Sequence, residues 1–566
     1  MPRPHVVVTE PLPRESMKPL EAVADVTYLE RLLPPEELYP LIREADALIT
    51  RSGTRVDRDL LDAAPRVRVV GRAGVGVDNI DLDAATERGV IVVNVAGGNA
   101  VAVAEHVFGT LLALLRKLRE ADGSVRAGEW KRSRFVGDEL RGKVLGIVGL
   151  GRIGGEVATR ARAFRMRIIA CDPYIPASRF EAFEAEPVDF DRLLEQADIV
   201  TIHTPLTDET RYMFDDRALG RMKPGAYLVN CARGVIVDEA ALARALREGR
   251  LAGAVVDVYE QEPPGRTPLA ELPNVLLTPH IAGSTREALD AIAHSIAEQV
   301  AAALEGRPVA GAVNLPSLSD EDWRTVAPLM PAAELAGLVY RDGLGGPLDD
   351  LELQLRARTL PSPRAMELLA GAALKGLLEG VVESPVNVVN ARMVAERRGL
   401  RVRLTTATDP EASLPALRLS GGRDRRRVVG AAAAPDGGCR LTELDGLPLD
   451  MAPAAYMLLT RHHDRPGMIG LVGSLLGQHG VNIAAMQVAR RQVRGEAIMV
   501  LSVDDPVSDQ VLAEIRANPG IAEARVVVIP ERLRGLNGAG RGAAEGVAAG
   551  APEAAAAGEA EGRGGA

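Results

Sequence analysis

The sequence predicts an α/β protein: two doubly wound parallel sheets, the first built from two separate stretches of chain, then an α+β segment and a small βαββαβ unit of ferredoxin-like pattern. Three observations carry this reading. From residue 143 to 281, short apolar runs alternate with amphipathic helical stretches, as they do when helices cover both faces of a parallel sheet. Residues 5–95 repeat the alternation more roughly. Residues 455–530 set six strand-like and helix-like segments end to end with short turns between them.

The elements follow in chain order. "HVVVTE", "ADALIT", "VRVVGRA" and "VIVVNV" read as strands of the first sheet, and "AVAVAEHVFGTLLALLRKLREA" as one long helix leading out of it. The second sheet takes "KVLGIVG", "RIIAC", "DIVTIH", "AYLVNC", "AGAVVDV" and "VLLTPH", with helices such as 151–164, 190–196 and 238–248 between them. A helix over 285–304 carries the chain back to the first domain, which is therefore discontinuous. Past "AVNLPSL" come the strand-like "LELQLRART" and "RVRLTTAT" and the helical "RAMELLAGAALKGLLEGVV". The last unit runs "YMLLTR", "MIGLVGSLLGQHG", "NIAAMQVAR", "EAIMVLSVD", "VSDQVLAEIRA" and "EARVVVIP". Residues 531–566 are mostly Gly, Ala, Glu and Arg, without the bulky side chains that offset ordering entropy, and read as disordered. The expected domains are 1–98 with 284–315, then 99–283, 316–452 and 453–530, before the tail 531–566.

Composition narrows the function. Of 566 residues 47% are hydrophobic and 25% charged, the balance of a soluble globular chain. A net charge of −10 argues against nucleic acid or an anionic membrane as the main partner, while leaving room for a local arginine cluster. Cys171, Cys231 and Cys439 stand far apart, fit no metal spacing, and read as reduced thiols. With no leader pattern and no apolar stretch of bilayer length, the expectation is a cytoplasmic protein; with no third ligand beside His462-His463, no metal is expected.

"GLGRIG" at 149–154 is a G-x-G-x-x-G that follows a strand and opens a helix, the context a dinucleotide fold requires. Gly149 allows the tight turn, Gly151 lets the backbone approach a pyrophosphate at the helix N-terminus, and Gly154 lets helix and strand pack closely. Arg152 and Ile153 lie between them. Asp172 ends the next strand, where its carboxylate accepts from both ribose hydroxyls and repels a 2′-phosphate, so NAD is favoured over NADP. "GRAGVGVDN" is a decoy, because Asn79 stands where the third glycine belongs.

Ligands of an open parallel sheet sit at the carboxyl ends of its strands. In the Rossmann-like domain those ends hold the glycine loop, Asp172, His203-Thr204-Pro205, Cys231-Ala232-Arg233, Asp257 with the "EQEPP" loop, and His280. His280 is a candidate general base or acid, because an imidazole ordinarily titrates near neutrality. Glu262 is placed to accept from its other ring nitrogen and fix the tautomer. Arg233 offers a planar fork for a carboxylate or polarised carbonyl. Out of context an arginine after a strand is more often an interdomain ion pair, and a histidine before "IAGST" a helix-capping neighbour. The convergence of all three on one sheet edge favours catalysis.

"GLGRIG", "HTPL", "NCARG", "DVYEQEPP" and "TPHIAGST" resemble the D-isomer-specific 2-hydroxyacid dehydrogenases, over about the first 530 residues. The resemblance implies that Arg233, Glu262 and His280 form the catalytic set and that NAD is the cofactor. It also implies that Arg51, Arg72 and Arg132 face the substrate's anionic groups, Arg132 from a neighbouring subunit, and that Asn99 bonds the substrate carboxylate. "HHDRPGMIG" with "GVNIAAM" resembles an ACT regulatory domain, which implies L-serine held by His462, Asp464 and Asn482 between paired domains. Residues 320–450 resemble the intervening domain of long-form members, in which "GGRDRRRVV" is either an anion site or a solvated basic loop. Long-form members oxidise 3-phospho-D-glycerate at the start of serine synthesis. The implied reading is therefore a serine-inhibited, homo-oligomeric enzyme, by resemblance a tetramer, with motion expected near residues 315 and 450. A hydroxypyruvate or glyoxylate reductase with regulatory domains, and an NAD(H)-sensing corepressor on the same fold, are the alternatives.

Overall fold

The computed structural model describes residues 3–534 apart from 96, 308, 310, 317, 346–348, 383–384, 411–413, 423–426 and 435–437. Two compact units divide the chain, Met1–Ala85 with Val90–Asn314, and Thr86–Gly89 with the chain from Leu315.

The first unit holds two parallel sheets. His5–Val8 (β1), Asp25–Tyr28 (β2), Ala47–Thr50 (β3), Val69–Arg72 (β4) and Ile91–Asn94 (β5) pair in the order β2-β1-β3-β4-β5. The interior strands are the apolar runs legible in sequence. β2 is not one of them: "DVTY" lies at the sheet edge, half exposed, so it needs no apolar run. The helix Arg286–Leu304 closes this sheet, its Ile292, Ile296 and Val300 packing against Val6, Val8, Val69 and Val93. Gly71 makes that fit possible, since a Cβ there would lie 2.7 Å from Val300.

The second sheet takes Val144–Val148 (β6), Arg167–Cys171 (β7), Glu186–Pro187 (β8), Ile199–Ile202 (β9), Ala226–Asn230 (β10), Leu251–Val256 (β11) and Val275–Leu277 (β12) in the order β12-β11-β10-β9-β6-β7-β8. The strand order reverses between β6 and β9, where such sheets bind their ligands. The connection into this domain is not one helix. Ala100–Leu115 stops, Lys117 turns left-handed at φ +52°, and Leu118–Arg126 starts afresh. Leu115 is buried and Leu118 exposed, and the Asp138 N–H takes the Leu115 carbonyl at 3.2 Å.

In the second unit, Asp350–Ala357 (β13), Arg401–Thr408 (β14), Ala416–Gly421 (β15), Arg427–Ala433 (β16), Cys439–Leu444 (β17) and Leu447–Met451 (β18) form a sheet in the order β14-β13-β15-β16-β17-β18, parallel only between β13 and β14. The helices Met330–Val339 and Pro363–Leu378 cross closely, because Gly337 and Gly376 put bare backbone against the carbonyls of Ala373 and Glu334. Tyr456–His463 (β19), Ile483–Arg490 (β20), Glu496–Val503 (β21) and Ile521–Val528 (β22) make an antiparallel sheet in the order β20-β21-β19-β22. Leu459, Ile498, Val500 and Val527 share one apolar cluster with Leu335, Val339 and Tyr340. The two sheets therefore share an apolar core across residue 450.

The boundary of the tail also moves. Glu531–Leu533 is a turn of 3-10 helix, Leu533 is buried, and the Arg532 guanidinium bonds Glu334 and Glu379. One apolar side chain and one arginine suffice to dock a segment whose composition otherwise argues against order. Residues 535–566 lie outside the described part.

Candidate active site

The strand ends of the second sheet gather the candidate catalytic groups. Asp257 follows β11 and is fully buried, yet satisfied: its carboxylate accepts from Thr278 Oγ1 (2.6 Å) and from the N–H groups of Ile281 (2.9 Å) and Ala282 (2.9 Å). Its carbonyl takes the N–H of His280 (2.8 Å). This brace holds the turn in which His280 has φ +53°, a left-handed conformation uncommon for histidine. His280 Nδ1 lies 2.7 Å from Glu262 Oε2, and Glu262 Oε1 accepts the Tyr259 N–H at 3.1 Å. A carboxylate at Nδ1 selects the Nδ1–H tautomer and leaves Nε2 with its lone pair. Burial pushes the Glu262 carboxyl upward. The bonds from His280 and Tyr259 and the charges of His280 and Arg233 outweigh it and hold the group below its ordinary value.

Arg233 leaves β10 through a turn folded by Asn230, which donates to the Arg233 carbonyl (3.0 Å) and accepts from the Ala232 N–H (3.1 Å). Gly234 must follow it, because a Cβ there would overlap the Tyr259 carbonyl. The guanidinium reaches the first sheet, where its Nε donates to Asp78 Oδ2 at 2.9 Å. The ion-pair reading of this arginine is thus realised, across the cleft and beside the candidate site. Asp78 was not singled out by sequence; "GVDN" was legible only as a failed glycine motif. Gly76 leaves the space that the Arg233 fork occupies.

Arg72, at the end of β4, is the most constrained cation of the group. Its Nε is buried without a hydrogen-bond partner. Burial first, and then the charge of Arg233, push its guanidinium down to about 10. Asp78 and Glu10 oppose that shift, and Arg51 adds to it. Arg51 and Arg233 are therefore both within electrostatic reach of Arg72. Arg132 is not among them, and lies exposed on the 3-10 turn Arg132–Phe135. Asn99 occupies the N-cap position of the helix Ala100–Leu115 without capping it; its Oδ1 is buried and unpartnered, and its amide packs where a Cβ on Gly283 would stand.

The dinucleotide features sit at the switch between β6 and β9. Gly149 has φ +92°, and a Cβ on it would lie 2.9 Å from the His203 carbonyl. Gly154 lies against the Gly149 carbonyl, and the space beside Gly151 is open. No side chain caps the helix Arg152–Ala163, which leaves its first N–H groups available to an anion. Asp172 accepts from the N–H groups of Leu150 (3.0 Å) and Tyr174 (3.1 Å), which orients a carboxylate with acceptor capacity to spare. His203 Nδ1 and Thr204 Oγ1 are buried without partners, and Cys231 and Ala232 are nearly buried. An open anion cradle, an oriented carboxylate and two orphaned polar atoms fit NAD. Burial drives the His203 imidazole down to about 3, so it stays neutral. Asn79 donates to the carbonyls of Arg51 (2.9 Å) and Thr54 (2.7 Å), a loop brace and not a phosphate loop.

In the second unit, His462 is buried in β19 and pushed down by that burial, with Asp464 acting on it in the opposite sense. Asp464 accepts from Arg490 (2.5 Å) and from the Arg494 N–H (2.9 Å). Asn482 donates to Asp504 at 2.6 Å. The structure brings His462 and Asp464 together and engages Asn482 elsewhere. Arg423–Arg426 of "GGRDRRRVV" lie outside the described residues; Arg427 bonds Asp445 and Glu523 in a cleft of about 1020 Å³ that Arg418, Arg461 and Arg491 also line. Among the described residues no three His, Cys, Asp or Glu side chains gather for a metal, and no helix is long and apolar enough to cross a membrane.

Residues 108–282 match the family described as D-isomer specific 2-hydroxyacid dehydrogenase, NAD binding domain, and residues 456–520 match the ACT domain. The chain is 40% identical to D-3-phosphoglycerate dehydrogenase of Methanocaldococcus jannaschii, over 92% of its own length and 99% of the relative's. It is also 40% identical to the enzyme of the same name from Synechocystis, over 92% and 94%. A solved protein from Thermus thermophilus superimposes with a TM-score of 0.51 at 38% identity, covering 55% of this chain and 99% of that one. With this identity along nearly its whole folded length, the chain belongs to the D-isomer specific 2-hydroxyacid dehydrogenases.

Proposed function

We propose that this protein is an NAD-dependent dehydrogenase that oxidises 3-phospho-D-glycerate at C2 to 3-phosphooxypyruvate, the first step of serine synthesis, in the cytoplasm. One observation carries the choice of substrate: the Nε of Arg72 is buried and unpartnered, the charges of Arg51 and Arg233 act on the same guanidinium, and Asp78 pairs with Arg233 across the cleft. Three guanidinium groups gathered in this way, one of them desolvated with an unpartnered Nε, suit a ligand with two anionic groups.

In this reading the substrate carboxylate displaces Asp78 from the Arg233 fork and takes a further bond from Asn99. Arg51 and Arg72 meet the phosphate, with Arg132 of a neighbouring subunit completing the site in a tetramer. His280 Nε2 removes the C2 hydroxyl proton. Glu262 steadies the imidazolium, at a catalytic benefit of the order expected for positioned acid–base groups, about 10²–10⁴-fold for the pair. Arg233 polarises the developing carbonyl. NAD, when bound across Gly149, Gly151, Gly154 and Asp172, supplies the acceptor for the hydride. The buried neutral His203 and Thr204 hold its place and exclude water.

L-Serine is the proposed effector, bound at paired ACT domains through His462, Asp464 and Asn482. It inhibits by favouring a state with a less competent cleft. An NADH-production assay tests both parts. Turnover is expected with 3-phosphoglycerate well above that with unphosphorylated D-glycerate, and is expected to fall on adding L-serine. Equal turnover of both acids would return the reading to an unphosphorylated 2-hydroxyacid.

A further inference from the structure

Glu10 is a carboxylate to which the mechanism gives no task. It follows β1, is 8% exposed, and is filled on every side by donors. Its Oε1 accepts from Thr50 Oγ1 (3.1 Å) and from the N–H groups of Arg51 (2.9 Å), Gly53 (3.1 Å) and Thr54 (2.9 Å), and its Oε2 accepts from Gly53 again (3.0 Å). The loop leaving β3 thus curls its successive N–H groups around one point, the concave arrangement that binds anions elsewhere. Here the anion is the protein's own. Two further ties complete the frame. Thr9 Oγ1 meets Thr54 Oγ1 at 2.8 Å, and Asn79 spans the Arg51 and Thr54 carbonyls. A Cβ on Gly53 would lie 2.9 Å from Glu10 Oε2, so the loop closes on the carboxylate only with glycine there.

We propose that Glu10 is a positioning residue for substrate recognition: by holding the backbone of residues 51–54 it fixes where Arg51 presents its guanidinium to the second anionic group of the substrate. The inference rests on the reading that Arg51 meets the phosphate. A long arginine on a free loop would sample many positions and lose binding energy in ordering on every encounter. Anchoring its own backbone N–H to a buried carboxylate removes that loss before the substrate arrives. The same negative charge lies close enough to Arg72 to support its protonation in the crowded cationic cleft.

The test is a double-mutant cycle on the full-length enzyme. KM for 3-phosphoglycerate, kcat and the dissociation constant for NADH are measured for Glu10→Ala, Arg51→Ala and the double variant. Glu10→Ala is expected to raise KM at least about tenfold with kcat and NADH binding within about twofold. Glu10→Gln keeps an oxygen at the Oε1 position and is expected to stay within about threefold of the parent. The double variant is expected to match Arg51→Ala alone. Independent, multiplying effects of the two single changes would overturn the proposal, as would an unchanged KM in Glu10→Ala or a matching fall in NADH affinity. An Arg51→Ala variant with unchanged KM would instead overturn the phosphate reading itself. If Glu10→Ala does not fold, Glu10→Asp replaces it in the cycle. Its shorter carboxylate cannot span the same donors, and the same non-additivity with Arg51→Ala decides.

Discussion

Two loops at strand ends of the first unit curl backbone N–H groups into anion cradles, and they are used in opposite ways. The loop of residues 51–54 is filled by Glu10. The loop of residues 149–154 has open space beside Gly151 and an uncapped helix behind it. A filled cradle is rigid and presents a side chain; an open one binds. The difference lies in a single acidic residue at the end of the neighbouring strand: Glu10 reaches into its loop, whereas Asp172 touches only the flank of the glycine loop, at Leu150. In the proposed reading, the same backbone device serves substrate recognition on one side of the cleft and cofactor recognition on the other.

The largest expected effect lies with the chemistry assigned to the seven-stranded sheet. His280→Ala should lower kcat by about 10²–10⁴-fold while NADH still binds, as read by fluorescence titration. A variant with parental kcat would break that division of labour. The comparison of cradles is sharpened by a pair of substitutions. Gly151→Ala places a methyl in open space, so the melting temperature should hold while the dissociation constant for NADH rises about tenfold. Gly53→Ala meets Glu10 and Leu32 instead, and should cost about 1–3 kcal/mol of stability with NADH affinity unchanged. The reverse pattern would mean that the two loops have been assigned the wrong way round. Asp172→Ala should cut the preference for NAD over NADP by about tenfold, read from the two kcat/KM values.

The smallest effect is one of pH on stability. Burial pushes His203 from 6.5 in the unfolded chain down to about 3. Its folded value is the lower one, so its contribution is complete above about pH 6.5. It is lost as the pH falls toward 3, because the unfolded chain takes up a proton that the folded one refuses. His203→Asn should therefore lose less melting temperature than the parent between roughly pH 7 and pH 5. Equal slopes would show that His203 is hydrated in the folded protein.

The candidate site was legible in sequence because its residues sit at strand ends, and strands that run through the core declare themselves by apolar runs. Placing Arg233 and His280 after such runs put them on one sheet edge, and the 2.7 Å approach of Glu262 to His280 followed from the "EQEPP" loop returning to that edge. β2 escaped because an edge strand needs no apolar run. The break at Lys117 escaped because the apolar periodicity continues through it. The docking of Leu533 escaped because one buried leucine in a Gly- and Ala-rich segment leaves no periodic trace.

The sequence by itself determined the alternation of apolar strands and helices, the glycine turn with its acidic partner, and the candidates for the acid–base pair, since each depends on spacing along the chain. Only the tertiary structure decided that Glu10 fills the Arg51 loop, that Asp78 meets Arg233, and that the Nε of Arg72 is buried without a hydrogen-bond partner. The pairings among them join residues 41 and 155 positions apart, Glu10 to Arg51 and Arg233 to Asp78. Local pattern carries no information on which distant side chains will share a low-dielectric space, and it is in that space that charge acquires its energy.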